Sequence, residues 1–224
     1  PRRFGKSLLL SMLEHYYDVR KASEFATLFG HLDIGQNPTP LHNQYVILHW
    51  DFSVVKSQGD VVDIERSLHQ IINMYIRSCA SDYDLEVMLH EENAISSLGN
   101  LLDVVRKSGR KLYLFIDEYD NFANEILMAR QEKYEALMYG DGLFRTLFKA
   151  VKAAAGQGLD RVFITGVSPV AMSDITSGYN VAENIYLQDD FNALCGFTEA
   201  EIAGILEVIQ PEPPAWSVNE ALAM

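Results

Sequence analysis

Three consecutive residues near the start of the sequence, Gly5, Lys6 and Ser7, have the types and order that hold a polyphosphate. They form the second half of the pattern GxxxxGK[ST]. In such a loop, backbone N–H groups and the N-terminus of the next helix converge on phosphate oxygens. The lysine neutralises the β and γ oxygens, and the serine hydroxyl can hold Mg2+. Gly5 is the sixth position of the pattern, so its leading glycine falls one residue before Pro1 and the sequence opens inside the motif. A bare Gly-Lys-Ser/Thr arises by chance in about one chain in ten of this size, so the assignment needs a second motif. Lys111-Leu112-Tyr113-Leu114-Phe115-Ile116-Asp117-Glu118 supplies it. An aspartate closing such an apolar run can hold the water shell of a phosphate-bound Mg2+, and a neighbouring glutamate can polarise an attacking water. Together the two motifs imply a nucleoside-triphosphate site. The expected nucleotide contacts are Arg3, Phe4, Gly5, Lys6, Ser7 and Leu8, with Ser7 and Asp117 serving the metal. Arg2 and Arg3 either add positive charge near the triphosphate or form a solvated turn.

Such a site needs elements that hold the two motifs in place. Apolar residues at every position of 111–116 suit a strand buried on both faces, as in a parallel sheet covered by helices. Residues 6 to about 19 read as the helix after the loop, with Leu9, Leu13 and Tyr17 at spacing four, widened by Leu10 and Tyr16. A second strand is expected at 45–50, ending at Asp51. His49 within it reads as a satisfied core histidine, and Asp51 as a turn carboxylate. A helix begins at Asp60 with Ile64, Leu68, Ile71, Tyr75 and Cys79 on its seam, which makes Cys79 core packing. Residues 82–92 read as an acidic helix in which Glu91 and Glu92 are solvated. Ile95, Leu98, Leu101, Leu102 and Val105 predict another helix, closed by Ser108 and Gly109. After Asp120 a polar stretch leads to Gly140-Asp141-Gly142, and a helix follows from Leu143 to near Gly156. Residues 160–164 form a strand-like run ending at Thr165-Gly166. A short strand is expected at 185–187. Thr198 and Glu201 fit a capping box opening a helix that runs to about Ile209. Strand-like runs alternating with helices give an α/β fold with a parallel sheet. Ligands of such sheets bind beyond the carboxyl ends of the strands, where Gly5 to Ser7, Asp117, Glu118 and Thr165 all fall.

The chain has 224 residues, 48% hydrophobic and 22% charged, enough for one α/β domain with a substantial core. No window approaches 18 consecutive apolar residues, which excludes a helical membrane span from the sequence. Eighteen basic against 31 acidic residues give a net charge of −13, so the general surface does not favour nucleic acid. Cys79 and Cys195 lack metal-ligand spacing, which points to a reducing, cytoplasmic setting.

Four ordered motifs also resemble the AAA-ATPase-like family of prokaryotic proteins. They are Pro1-Arg2-Arg3-Phe4-Gly5-Lys6-Ser7-Leu8, Phe115-Ile116-Asp117-Glu118-Tyr119-Asp120, Ile164-Thr165-Gly166-Val167 and Leu194-Cys195-Gly196-Phe197-Thr198 with Glu201. The resemblance implies a three-layer P-loop NTPase fold of the additional-strand type with a mostly parallel sheet. In it another strand separates the acidic strand from the phosphate loop. Residues 1–197 would form this core and 198–224 the start of a helical region. The resemblance gives Lys6 the phosphates, Ser7 and Asp117 the Mg2+, Glu118 the role of base and Thr165 that of a polar sensor of the γ-phosphate. Family members are often followed by a restriction-nuclease-like domain, a possible partner in a full-length protein, as is a second copy of the chain. The implied cofactors are ATP and Mg2+. The strand before the loop is absent from this sequence, so about four to eight apolar residues are expected just upstream of Pro1.

Mg2+-dependent ATP binding and hydrolysis is the leading reading. The alternative is a nucleotide-binding switch with little turnover, acting through partner domains. Only hydrolysis needs Glu118 and an arginine finger, for which Arg145 and Arg161 are the candidates. A third reading, a metal nuclease using Asp117, Glu118 and Asp120, lacks a lysine beside those acids.

Overall fold

The strand-like runs of the sequence become three parallel strands: β1 (Tyr45–Asp51), β2 (Lys111–Asp117) and β3 (Leu159–Ile164), in the order β1-β2-β3. The computed structural model describes residues 5–167, 182–185, 188–191 and 194–209. Pairing is in register from Tyr45 opposite Lys111 to Asp51 opposite Asp117. β3 joins the other edge of β2, with Ile116 opposite Ile164. The central position of β2 explains its unbroken apolar run: Leu112, Leu114, Phe115 and Ile116 are fully buried.

Contacts divide the chain into two compact units, Leu10–Ala182, which holds the sheet, and Pro1–Leu9 with Glu183–Met224. In the sheet-bearing unit, alternation along the strands sorts side chains onto two faces. Val46, Leu48, Trp50, Leu112, Leu114 and Ile116 pack into the larger core. Four helices join them there: α4 (Val61–Asp82), α5 (Ala94–Lys107), α6 (Tyr119–Ala129) and α8 (Leu143–Ala154), with α7 (Gln131–Met138) between the last two. On the opposite face Tyr45, Tyr113 and Phe115 meet Leu10, Leu13 and Tyr17 of α1 (Lys6–Tyr17). The Tyr113 and Phe115 rings stack there at 4.3 Å.

The crossovers begin and end where local chemistry dictates. Asp60 caps α4 by accepting from the N–H of Asp63 at 2.8 Å. Asn93 caps α5 through the N–H of Ser96 at 3.0 Å. Gly109, at φ +74°, closes the turn into β2.

Two expectations change. Residues 84–93 are not helical: α4 stops at Asp82, Asp84 takes φ +53°, and the chain then runs extended. Leu85, Val87 and Leu89 alternate inward against the core while Glu86, Met88 and His90 face out. The stretch after Asp120 is two helices, α6 and α7. Phe122, Ala123 and Ile126 of α6 and Tyr134, Leu137 and Met138 of α7 fill the core. Residues 21–44 contain the short helices α2 (Phe25–Phe29) and α3 (Asp33–Gln36), with Phe25 and Phe29 packed on the Tyr16 ring.

The capping box at Thr198 forms. The N–H of Thr198 donates to Glu201 at 2.7 Å, opening α9 (Glu199–Ile209). Of the strand expected at 185–187, Ile185 is irregular, and residues 186 and 187 lie outside the described residues.

Candidate active site

At the carboxyl end of the sheet, β2 ends in a buried acid and β3 in a hydroxyl. Asp117 is 7% exposed. Its Oδ1 accepts a hydrogen bond from Thr165 Oγ1 and another, at 2.9 Å, from the Glu118 N–H. Thr165 is placed by the sheet itself, because its N–H donates to the Ile116 carbonyl at 2.8 Å and extends the ladder by one residue. The structure therefore brings together Asp117, Glu118 and Thr165, three of the residues read from the sequence.

Glu118 makes the turn from β2 into α6 at φ +50°, in the left-handed region that side-chain-bearing residues avoid. Such conformations persist where the surroundings enforce them and cluster at functional sites. Bonds hold the turn on both sides of this residue: its N–H donates to Asp117 and its carbonyl accepts from the Asn121 N–H at 3.0 Å. Glycine adopts this conformation without the Cβ penalty, which is about 1 kcal/mol or more. Glu118→Gly should therefore melt higher than Glu118→Ala by about 2–4 °C. Equal melting points for the two variants in a calorimetric scan would contradict this backbone assignment.

The third acid of the motif has a different task. Asp120, in the first turn of α6, is 1% exposed, and its Oδ2 accepts from the Val167 N–H at 2.8 Å. Among the described residues no group of three or more acids, histidines or cysteines is arranged to hold a metal, so Asp117, Glu118 and Asp120 do not make the nuclease-like cluster. Sequence reasoning missed Asp120's bond because its partner is a backbone N–H 47 residues away.

His49 departs from the satisfied core histidine expected of it. It shares a strand face with Tyr45 and Ile47, and its Nδ1 pairs with Glu14 of α1 at 2.5 Å. Its Nε2 is buried with no hydrogen-bond partner among the described residues. Burial opposes a charge on the ring. The bond to Glu14 and the fields of Glu14, Asp117 and Asp51 outweigh that, and the pKa rises above the ordinary histidine value. Asp51 is the turn carboxylate expected, accepting from the Ser53 N–H at 2.8 Å.

The two arginines proposed as fingers separate. Arg161 lies in the first half of β3 opposite Tyr113, where its Nε donates to the Tyr45 hydroxyl at 3.2 Å. It is four residues, about 13 Å of extended strand, short of Thr165. Arg161 therefore belongs to the amino end of the sheet. Arg145 sits in the first turn of α8, beside Phe144, whose ring meets Phe52 just beyond the end of β1.

Of the loop, Arg2, Arg3 and Phe4 lie outside the described residues. Gly5 has φ +84°, and its carbonyl accepts from the Leu9 N–H at 2.8 Å. α1 starts at Lys6, with Ser7 and Leu8 exposed in its first turn. A glycine turn opening directly into a helix N-terminus is the backbone arrangement that receives phosphate.

A family described as "Predicted AAA-ATPase" matches residues 1–176, most of the chain. The chain belongs to this AAA-ATPase-like family. Membership points to a nucleotide-binding ATPase, with nucleotide and Mg2+ as the implied ligands. An uncharacterised protein from the vnfD 5′ region of Azotobacter chroococcum mcd 1 is 24% identical over 226 residues. That alignment covers all of this chain and 39% of the relative, so the chain spans well under half of that protein's length. No solved structure matches the chain. Among the described residues no helix is long and apolar enough to cross a membrane.

Proposed function

We propose that this chain is a Mg2+-dependent ATP-hydrolysing domain with a three-layer P-loop fold of the additional-strand type. Residues 1–197 would form its core and 198–224 the start of a helical region. The observation that carries the reading is the carboxyl end of the sheet, where buried Asp117 is bonded to Thr165 and precedes Glu118 in a strained turn. The three parallel strands in the order β1-β2-β3 are compatible with this fold assignment.

In this reading Lys6 and the loop N–H groups hold the β and γ phosphates, and Ser7 and Asp117 hold Mg2+, Asp117 through its water shell. Glu118 orients and deprotonates the attacking water, and Thr165 reads the γ-phosphate. The residues present suit the ion: an exposed hydroxyl follows Lys6, and Asp117 uses only Oδ1 in the bonds described above. Mg2+ would neutralise charge on the β and γ oxygens while the loop stabilises what develops in the transition state. A second copy of the chain and a nuclease-like domain remain proposed partners of the full-length protein.

Phosphate release by full-length protein tests this reading. Release should depend on Mg2+ and stop when the metal is chelated. Absence of release with ATP and Mg2+, alone and with nucleic acid, would leave only the nucleotide-binding switch.

A further inference from the structure

The carboxyl end of the sheet is tied together twice. The first tie runs from the Thr165 hydroxyl to Asp117. The second lies two residues further on past β3 and three further on past β2, where the Val167 N–H donates to Asp120 Oδ2 at 2.8 Å. Between the ties Gly166 lies close against the side chains of Tyr119 and Asp120, with no room for a Cβ unless they shift. A methyl group on Gly166 would stand 2.6 Å from Asp120 Oδ1 and 2.6 Å from Tyr119 Cε1. Glu118 lies between the two anchoring aspartates.

We propose that Asp120 is a positioning residue for hydrolysis, holding the exit of β3 against the β2–α6 turn so that Thr165 and Glu118 keep a fixed relation to the γ-phosphate. The proposal rests on the ATPase reading above and deepens it. Asp120 touches neither nucleotide nor water in this scheme; it acts through the Val167 backbone. A buried carboxylate suits the task because its bond to an N–H is charge-assisted and therefore short and strong. The α6 N-terminus, where it sits, also favours negative charge. Gly166 is the counterpart of Asp120, since a side chain there would collide with the Asp120 carboxylate and the Tyr119 ring. Displacements of about 1 Å at a reacting centre cost about 10²-fold in rate, so a modest loosening here should be visible in turnover.

The experiment compares wild type, Asp120→Ala, Asp120→Asn and Gly166→Ala in the full-length protein. Asp120→Ala and Gly166→Ala should bind Mg·ATP within about threefold of wild type while kcat falls by about 10-fold or more. Asp120→Asn, whose amide oxygen can still accept from Val167, should recover most of the lost kcat. Hydrogen exchange at the Val167 amide gives a readout independent of turnover. It should be slow in wild type and Asp120→Asn and at least about tenfold faster in Asp120→Ala, with β2 and β3 still protected. Unchanged kcat in both alanine variants, or unchanged Val167 exchange in Asp120→Ala, would overturn the proposal. So would affinity, kcat and melting temperature falling together with no rescue by asparagine, which marks a merely structural role. If Asp120→Ala fails to fold, Gly166→Ala and Asp120→Asn still decide through kcat and Val167 exchange. A wild type that exchanges as expected but does not turn over would instead sink the hydrolysis reading. In that case Mg·ATP should further slow Val167 exchange in wild type but not in Gly166→Ala, and a nucleotide effect equal in both would overturn the tie.

Discussion

Glu118→Gln is expected to bind Mg·ATP as wild type does and to release phosphate about 10²-fold more slowly or worse. The substitution keeps the shape of the side chain and its capacity for hydrogen bonding, and removes the basic oxygen. Glu118 is held where a base is useful, at the end of the central strand, next to buried Asp117 and in a left-handed turn that fixes its direction. Because the bonds to that backbone, from the Glu118 N–H to Asp117 and from the Asn121 N–H to the Glu118 carbonyl, do not use the Glu118 side chain, the conformation should survive the change. The expected signature is thus a loss confined to kcat, which marks an interaction used only in the transition state. Single-turnover phosphate release with saturating nucleotide measures it without interference from product release. Turnover in the variant equal to wild type would remove Glu118 from the mechanism.

The strands were legible because burial on both sides leaves a plain signature. Val46, Leu48 and Trp50 of β1 and the whole interior of β2 are apolar, and each run ends at an aspartate where the structure ends the strand. Caps were legible for the same local reason: Asp60, Thr198 and Glu201 do their work within three residues of themselves. Residues 84–93 misled because acidic composition says little about period. The alternation of Leu85, Val87 and Leu89 was present, but it is partly buried on one side and carries no β-branched run. In α6 and α7, Asp120, Glu125, Glu132, Lys133 and Glu135 diluted the apolar pattern, in which Phe122 packs against Phe52 and Phe144.

The site divides along the same line. Asp117, Glu118 and Thr165 could be named in advance because each closes an apolar run, and parallel sheets gather such ends. The Glu14–His49 pair and the Asp120–Val167 bond could not. Their members are 35 and 47 residues apart, on elements whose juxtaposition is a property of the packed sheet. Arg161 shows the reverse case. Its residue type suggested a finger, and only the register of β3 reveals that it stands at the wrong end of the strand.

Nucleotide binding is the claim on which the rest stands, and Lys6 is its most exposed point. The residue opens α1 immediately after the positive-φ turn at Gly5, at the kind of helix N-terminus that receives phosphates. A hydrogen bond to a charged group is worth about 1.5–3 kcal/mol, which corresponds to about 10–150-fold in affinity. The decisive measurement is a calorimetric titration of full-length wild type and Lys6→Ala with ATP, in Mg2+ and again in chelator. The expected result is wild-type binding strengthened by Mg2+, and at least about tenfold weaker Mg·ATP binding by the variant, with unchanged melting of the nucleotide-free protein. A dissociation constant within about threefold of wild type for Lys6→Ala, or no ATP binding by wild type, would contradict the phosphate-loop assignment and the function built on it.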